Sequence, residues 1–151
     1  MTRIDFYHLQ KDNTENTLPK LLEKAYALGK KIIIKIGNEK RLEELNSYLW
    51  TYEEESFLPH GSQKDGNASL QPVWLTTQDD NPNDATILFL VDNAKVDINN
   101  ISSFDRVLNI FDGNNQDALA WSRQFWKDAK SKEFECYYWQ RDDKGMWQQK
   151  A

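Results

Sequence analysis

Four isoleucines fall within five residues in the run KKIIIKIG, residues 30–37. The run is too short for a buried helix and lacks the alternation of a strand with one wet face, so it reads as a central strand covered on both sides. PVWLTT (72–77), TILFLVD (86–92) and RVLNIF (106–111) read as further strands, the last of them buried. RIDFYHL (3–9) sets Ile4, Phe6 and His8 against Asp5, Tyr7 and Leu9, as in a strand with at least one buried face. Strands of this kind need a layer on each face. The order strand, helix, strand, helix, further strands and a late helix implies an α/β layer structure with a mostly parallel sheet. At 151 residues it is expected to form one domain, residues 1–151, around a single core, without internal repeats.

The first helix is capped by Asn16 or Thr17, has Pro19 in its first turn, carries Leu18, Leu21, Leu22, Ala25 and Leu28 on one side, and stops at Gly29. Asn38 caps a second, with Leu42, Leu45 and Leu49 at helical spacing. Residues 61–71, GSQKDGNASLQ, and 78–85, QDDNPNDA, read as polar surface loops. A third helix runs from about Asn115 to Lys130, and FECYYWQ, RDDKG and MWQ then suggest a terminal hairpin.

Nineteen Lys and Arg stand against twenty-four Asp and Glu, so the net charge of −5 repels phosphate backbones and anionic lipid. Direct binding to DNA and to membranes is therefore not expected, and no apolar run reaches the length that spans a bilayer. The lone Cys136 cannot form an intramolecular disulfide, and MTRIDFYH lacks the pattern of a signal peptide, which predicts a cytoplasmic protein.

Signals for chemistry are sparse. Neither GxGxxG nor GxxxxGK[ST] occurs, and IGNEKR (36–41) is the nearest approach to a phosphate-binding turn, with a single glycine. His8, His60 and Cys136 are scattered without metal-ligand spacing, so neither a metal nor a cofactor is expected. Glu53, Glu54 and Glu55 read as a solvated charge run rather than a catalytic pair, and His60 as a histidine satisfied by local hydrogen bonds.

The late helix is more informative. At about 100° per residue, Ala118, Trp121, Ser122, Phe125 and Ala129 share the side assigned to the core, and Leu119, Arg123, Trp126, Lys127 and Lys130 share the other. Two readings of Trp126 stand at this point. Either it packs beneath a loop among ordinary surface bases, or Arg123, Trp126 and the lysines form a positive, aromatic patch for an acidic peptide with a free carboxylate.

The block LWTYEEESFLPH (49–60), with FYHL, GKKIIIKIGNE, PVWLT and RVLNIFD in the same order along the chain, resembles the chi subunit of bacterial DNA polymerase III holoenzyme. The resemblance implies a non-enzymatic accessory protein of the clamp loader with a three-layer Rossmann-like fold and no nucleotide-binding loop. It implies two partners: the psi subunit, and the acidic, phenylalanine-ending tail of single-stranded DNA-binding protein. Some members also bind a DNA repair helicase through the psi surface. Carried over by position, Phe57, with Leu58 and Pro59, matches the psi-binding surface. Trp50, Phe111, Arg123 and Trp126 match the tail-binding positions. The family's second tail-binding base falls here on Leu119, which leaves Lys127 or Lys130 to compensate, and Trp139 and Trp147 in the C-terminal stretch have no implied role. The competing readings are a nucleotide-dependent enzyme on the same scaffold, and a single-strand binder using aromatic platforms.

Overall fold

The computed structural model describes residues 2–51, 59–63 and 65–151. Among these the chain forms β1 (Arg3–Leu9), α1 (Thr14–Ala27), β2 (Ile32–Ile36), α2 (Glu39–Thr51), β3 (Val73–Thr76), β4 (Ile87–Val91), β5 (Arg106–Asp112), α3 (Gln116–Ser131), β6 (Glu135–Arg141) and β7 (Trp147–Gln149). The strands make one sheet in the order β3-β2-β4-β5-β1-β6-β7. All pairs are parallel except the terminal β6–β7 hairpin, so the mostly parallel sheet expected from the short apolar runs is present.

The isoleucine run behaves as its composition requires. Ile32, Ile34 and Ile36 enter one core with α1 and α2, while Ile33 enters a second core with α3 on the opposite face. Trp74, Leu88, Leu90, Val107 and Phe111 join Ile33, and Val73, Leu75, Phe89, Leu108 and Ile110 face α1 and α2. The result is three layers.

Local signals were right about the elements and less so about their ends. The cap of α1 is Asn13 rather than Asn16 or Thr17. Asn13 Oδ1 accepts from Asn16 N at 3.0 Å and Asn16 Oδ1 accepts from Asn13 N at 3.1 Å, a reciprocal capping box. Pro19 consequently lies beyond the first turn, where it withholds the N–H that would reach the Glu15 carbonyl. Leu28, expected on the apolar side, is 63% exposed because the helix has already ended there, with Gly29 left-handed at φ 76°. Asn38 caps α2 as expected, its Oδ1 accepting from Arg41 N at 2.9 Å.

Neither polar linker is merely a surface loop. Gly61 bridges the outer edge of β3, donating to Val73 O at 3.0 Å and accepting from Leu75 N at 2.9 Å. Within 78–85, Asn83 is buried and donates to Ile32 O and Gln71 O at 3.2 and 2.9 Å. Polar composition marked these segments as loops, but side-chain amides satisfying buried carbonyls hold them in place.

On α3 the buried stripe is Ala118, Ser122, Phe125 and Ala129, with Trp121 and Trp126 flanking it on either side, both half-buried. Asn109 of β5 lies in this core and donates to Ser122 Oγ at 2.9 Å, fixing the helix on the sheet. The Ser122→Ala substitution strands that amide and is expected to lower the unfolding free energy by about 1–3 kcal/mol, the cost of a buried unpaired donor. Urea unfolding measures this; a change within about 0.5 kcal/mol, as for an ordinary surface substitution, would remove the bond from the list of stabilising contacts.

Candidate functional site

β1 is flanked by β5 and β6, and its register with both builds one end of the site. His8 stands opposite Phe111 on β5 and opposite Gln140 on β6, while Phe6 stands opposite Tyr138. All these rings lie on the α3 side of the sheet. His8 is 5.1 Å from Phe111 between ring centroids, and Tyr138 meets His8 at 5.8 Å and Phe111 at 6.1 Å, both edge-to-face. Trp126 reaches the same row from α3, edge-on to Phe6 at 5.2 Å and to Tyr138 at 5.8 Å. Of the two readings of Trp126, the packed one describes its position, although the surface it packs into is the aromatic row itself rather than the underside of a loop.

Arg123 is exposed, one turn before Trp126 on α3. Among the described residues it enters no ion pair. Its positive charge is nevertheless felt by the row: burial first and Arg123 second hold the His8 pKa below its ordinary value, with Asp112 opposing. Burial raises the Tyr138 pKa and Arg123 pulls it back. Lys130 places Nζ 5.6 Å over the Trp126 ring, adding a second cation at the far end of the row. Arg123, Phe111, Trp126 and Lys130 are thus brought together, and His8 and Tyr138 join them without having been singled out for the site from the sequence. The signal available for them was the strand alternation that put His8 on the same face as Phe6.

Other expected site residues lie elsewhere. Lys127 is exposed, one turn past Arg123 on α3, without a ring contact to the row among the described residues. Leu119 is half-buried against the α3 core. Trp50 does not share the site. It lies in the last turn of α2 in the opposite helical layer, is 46% exposed, and packs against His60 with ring centroids 4.1 Å apart and the planes tilted by 34°. His60 is itself buried, its Nε2 3.0 Å from Asn46 O, as the local-hydrogen-bond reading expected. Pro59, half-buried, is the chain neighbour of His60, so Trp50 and Pro59 mark a second surface. Phe57, Leu58 and the run Glu53, Glu54 and Glu55 lie outside the described residues.

The turn IGNEKR is filled by the chain's own groups. A Cβ on Gly37 would stand 2.0 Å from Asp92 O, so this glycine serves backbone packing. Arg41 is consumed by Glu15, by Glu44 at 2.6 Å and by Asp92 at 3.1 Å. Each helix N-terminus also carries its own carboxylate in the first turn, Glu15, Glu39 and Asp117, which disfavours a phosphate there. At the switch point between β1 and β5, where a doubly wound sheet admits a dinucleotide, the strand exits are stitched together. Gly113 N donates to Leu9 O at 2.7 Å and Asn114 Nδ2 to Gln10 O at 2.6 Å. A cleft of about 560 Å³ beside β3 is rimmed by Glu39, Glu43 and Asp80 and suits no anion. Among the described residues no group of His, Cys, Asp and Glu could hold a metal ion, and no helix is long and apolar enough to cross a membrane.

A family model described as DNA polymerase III chi subunit, HolC, matches residues 1–137. A protein of Rickettsia prowazekii named probable DNA polymerase III subunit chi is 31% identical over 111 residues, covering 74% of this chain and 66% of that protein. The DNA polymerase III subunit chi of Pseudomonas aeruginosa is 32% identical over 74 residues, 46% of this chain and 52% of that protein. The matched stretches thus span about two thirds and about half of these relatives.

Because the folded chain holds His8 below its ordinary pKa of 6.5, the unfolded chain takes up the proton first, and His8 withdraws stability as pH falls. In urea unfolding at about pH 7.5 and about pH 5.5, His8→Phe is expected to shrink the difference between the two conditions, since its ring cannot titrate. An undiminished difference would mean that another group carries the dependence.

Proposed function

The chain belongs to the DNA polymerase III chi subunit family, and from that membership we propose that it is a non-catalytic accessory subunit of the clamp loader. In this reading it bridges the psi subunit and the acidic C-terminal tail of single-stranded DNA-binding protein during replication, and a DNA repair helicase shares the psi surface. The observation that carries the tail-binding half is Arg123, an exposed guanidinium that no carboxylate among the described residues neutralises, at the edge of the Phe111, Tyr138 and Trp126 row. A peptide ending in acidic residues and phenylalanine offers what that arrangement lacks, a carboxylate for the fork of the guanidinium and an aromatic ring for the row. Elsewhere the net charge of −5 keeps polynucleotide away, so an adaptor of this composition reaches DNA through another protein.

The psi-binding half rests on Phe57, Leu58 and Pro59, and Trp50 is assigned to that surface rather than to the Arg123 site because its ring lies against His60, the chain neighbour of Pro59. With Trp50 on α2 and Arg123 on α3, across the sheet from each other, both partners can be held at once, the linkage raising effective concentration rather than adding contacts.

Calorimetry with a synthetic peptide ending in acidic residues followed by Ile-Pro-Phe, against its carboxamide-capped form, tests the carboxylate requirement. The Arg123→Ala substitution is expected to weaken the free-acid peptide by about 1.5–3 kcal/mol, the range for a hydrogen bond to a charged group, and to leave psi binding unchanged. Trp50→Ala should leave tail affinity within about 0.5 kcal/mol of the parent; a larger loss would return Trp50 to the tail site. Phe57→Ala is expected to abolish psi capture while the tail peptide still binds. If it unfolds the protein instead, Phe57 belongs to the core.

A further inference from the structure

Resting on the reading that Arg123 captures a peptide carboxylate, we propose that His8 and Tyr138 form a proton-gated second donor at that site. His8 Nδ1 lies 2.7 Å from Tyr138 Oη and 3.1 Å from Gln140 Nε2. With Gln140 presenting an N–H, the Nδ1 lone pair accepts, the imidazole carries its proton on Nε2, and the Tyr138 hydroxyl is committed to His8. A proton taken from solvent onto Nδ1 reverses this pair. The imidazolium then donates to Tyr138 Oη, the Gln140 amide turns its oxygen toward the ring, and the phenolic O–H is released to donate to a carboxylate at Arg123.

Binding and protonation are coupled through charge. His8 is faced by Arg123 from α3, by Asp112 from the end of β5, and by Tyr138 and Gln140 from β6; Lys11, Asp12, Arg141, Asp142 and Asp143 share the cleft it lines. Of these, Arg123 lowers the His8 pKa and Asp112 raises it. A bound carboxylate neutralises the guanidinium and so removes one of the two causes that keep the ring uncharged. Linkage then requires the converse, that protonated His8 holds the carboxylate more tightly.

Neither lysine offers an equivalent. Lys130 is engaged over the Trp126 ring, and Lys127 is an exposed side chain one turn past Arg123 with no ring contact to the row among the described residues. The close fit of His8 explains its fixed pose, because a Cβ on Gly113 would stand 1.9 Å from its Nε2. Tyr138 and Gln140 lie past residues 1–137, the range matched by the family model.

The test is calorimetry on the full chain with the free-acid Ile-Pro-Phe peptide at about pH 7.5 and about pH 5.5, in buffers of different ionisation enthalpy. The peptide's own carboxylates stay ionised across this window. The parent protein is expected to take up a fraction of a proton on binding and to bind more tightly at the lower pH, by up to about tenfold for a one-unit rise in the His8 pKa. His8→Phe should abolish the uptake and flatten the profile, and Tyr138→Phe should lose most of the gain at low pH. Should either variant fail to fold, the His8 ring resonances of the parent, titrated by NMR with and without peptide, give the same answer as a rise in pKa on binding. Proton-neutral binding, an unmoved His8 resonance, or a His8→Phe profile like the parent's overturns the proposal while leaving the Arg123 site intact. Equal affinity for the acid and carboxamide peptides, or for Arg123→Ala and the parent, overturns both.

Discussion

The carboxylate of Asp5 is fully buried in the strand that holds the right-hand half of the sheet together. It accepts from Arg3 Nη2 at 2.9 Å within β1, from Arg106 Nε at 2.9 Å on β5, and from Trp139 Nε1 at 2.9 Å on β6. A buried charge without such partners would cost several kcal/mol per ion after relaxation, so the three strands are held to the one register that satisfies it. That register also decides that His8 meets Phe111 on one side and Gln140 on the other, and that Phe6 meets Tyr138. The candidate site is in this sense a consequence of an ion-pair cluster three residues earlier on the same strand.

The same cluster accounts for the aromatic C-terminal stretch. Trp139 stacks on Tyr7 at 6.3 Å and Trp147 meets Tyr7 edge-on at 5.1 Å, covering the face of β1 on the side of α1 and α2. Arg141 closes this cover, lying 4.6 Å over Trp147 and pairing with Asp12 at 3.0 Å. The two tryptophans left without a role by the family resemblance are therefore part of the sheet's packing, and the indole N–H of one is a ligand of Asp5.

Electrostatics separates the two ends of the scaffold's chemistry. Carboxylates at the start of each helix, and Arg41 bound up by three acids, leave the strand exits unsuited to phosphate although the topology resembles that of nucleotide-binding sheets. Arg123 differs from Arg41: it enters no ion pair among the described residues, and its charge acts on the His8 and Tyr138 rings. A local positive feature against a negative background favours an acidic protein segment over a polynucleotide, because the segment engages only the patch while a polynucleotide must meet the whole surface.

The layer structure was legible in the chain because burial on both faces demands uninterrupted apolar runs, and Ile32 to Ile36 could satisfy nothing else. The stripe of α3 was legible for the same reason, since a period of 3.6 follows from helix geometry alone. The cap at Asn13 was not, because Asn16 and Thr17 offer the same chemistry and only the path of the loop chooses among them. A helical wheel gives Trp126 an angle but not its neighbours across the sheet, where Phe6 of β1 and Tyr138 of β6 receive it. Trp50 matched a family position yet stands in another layer from Arg123, because equivalence along a chain carries no distance. Residue types by themselves thus determined which segments are strands and helices and which stripe of each is buried at its centre, since those depend on near neighbours in sequence. Which side chains share a site was decided only by tertiary structure, because His8, Phe111, Arg123 and Tyr138 come from four elements whose meeting depends on strand order and register, and these are set by contacts distant along the chain.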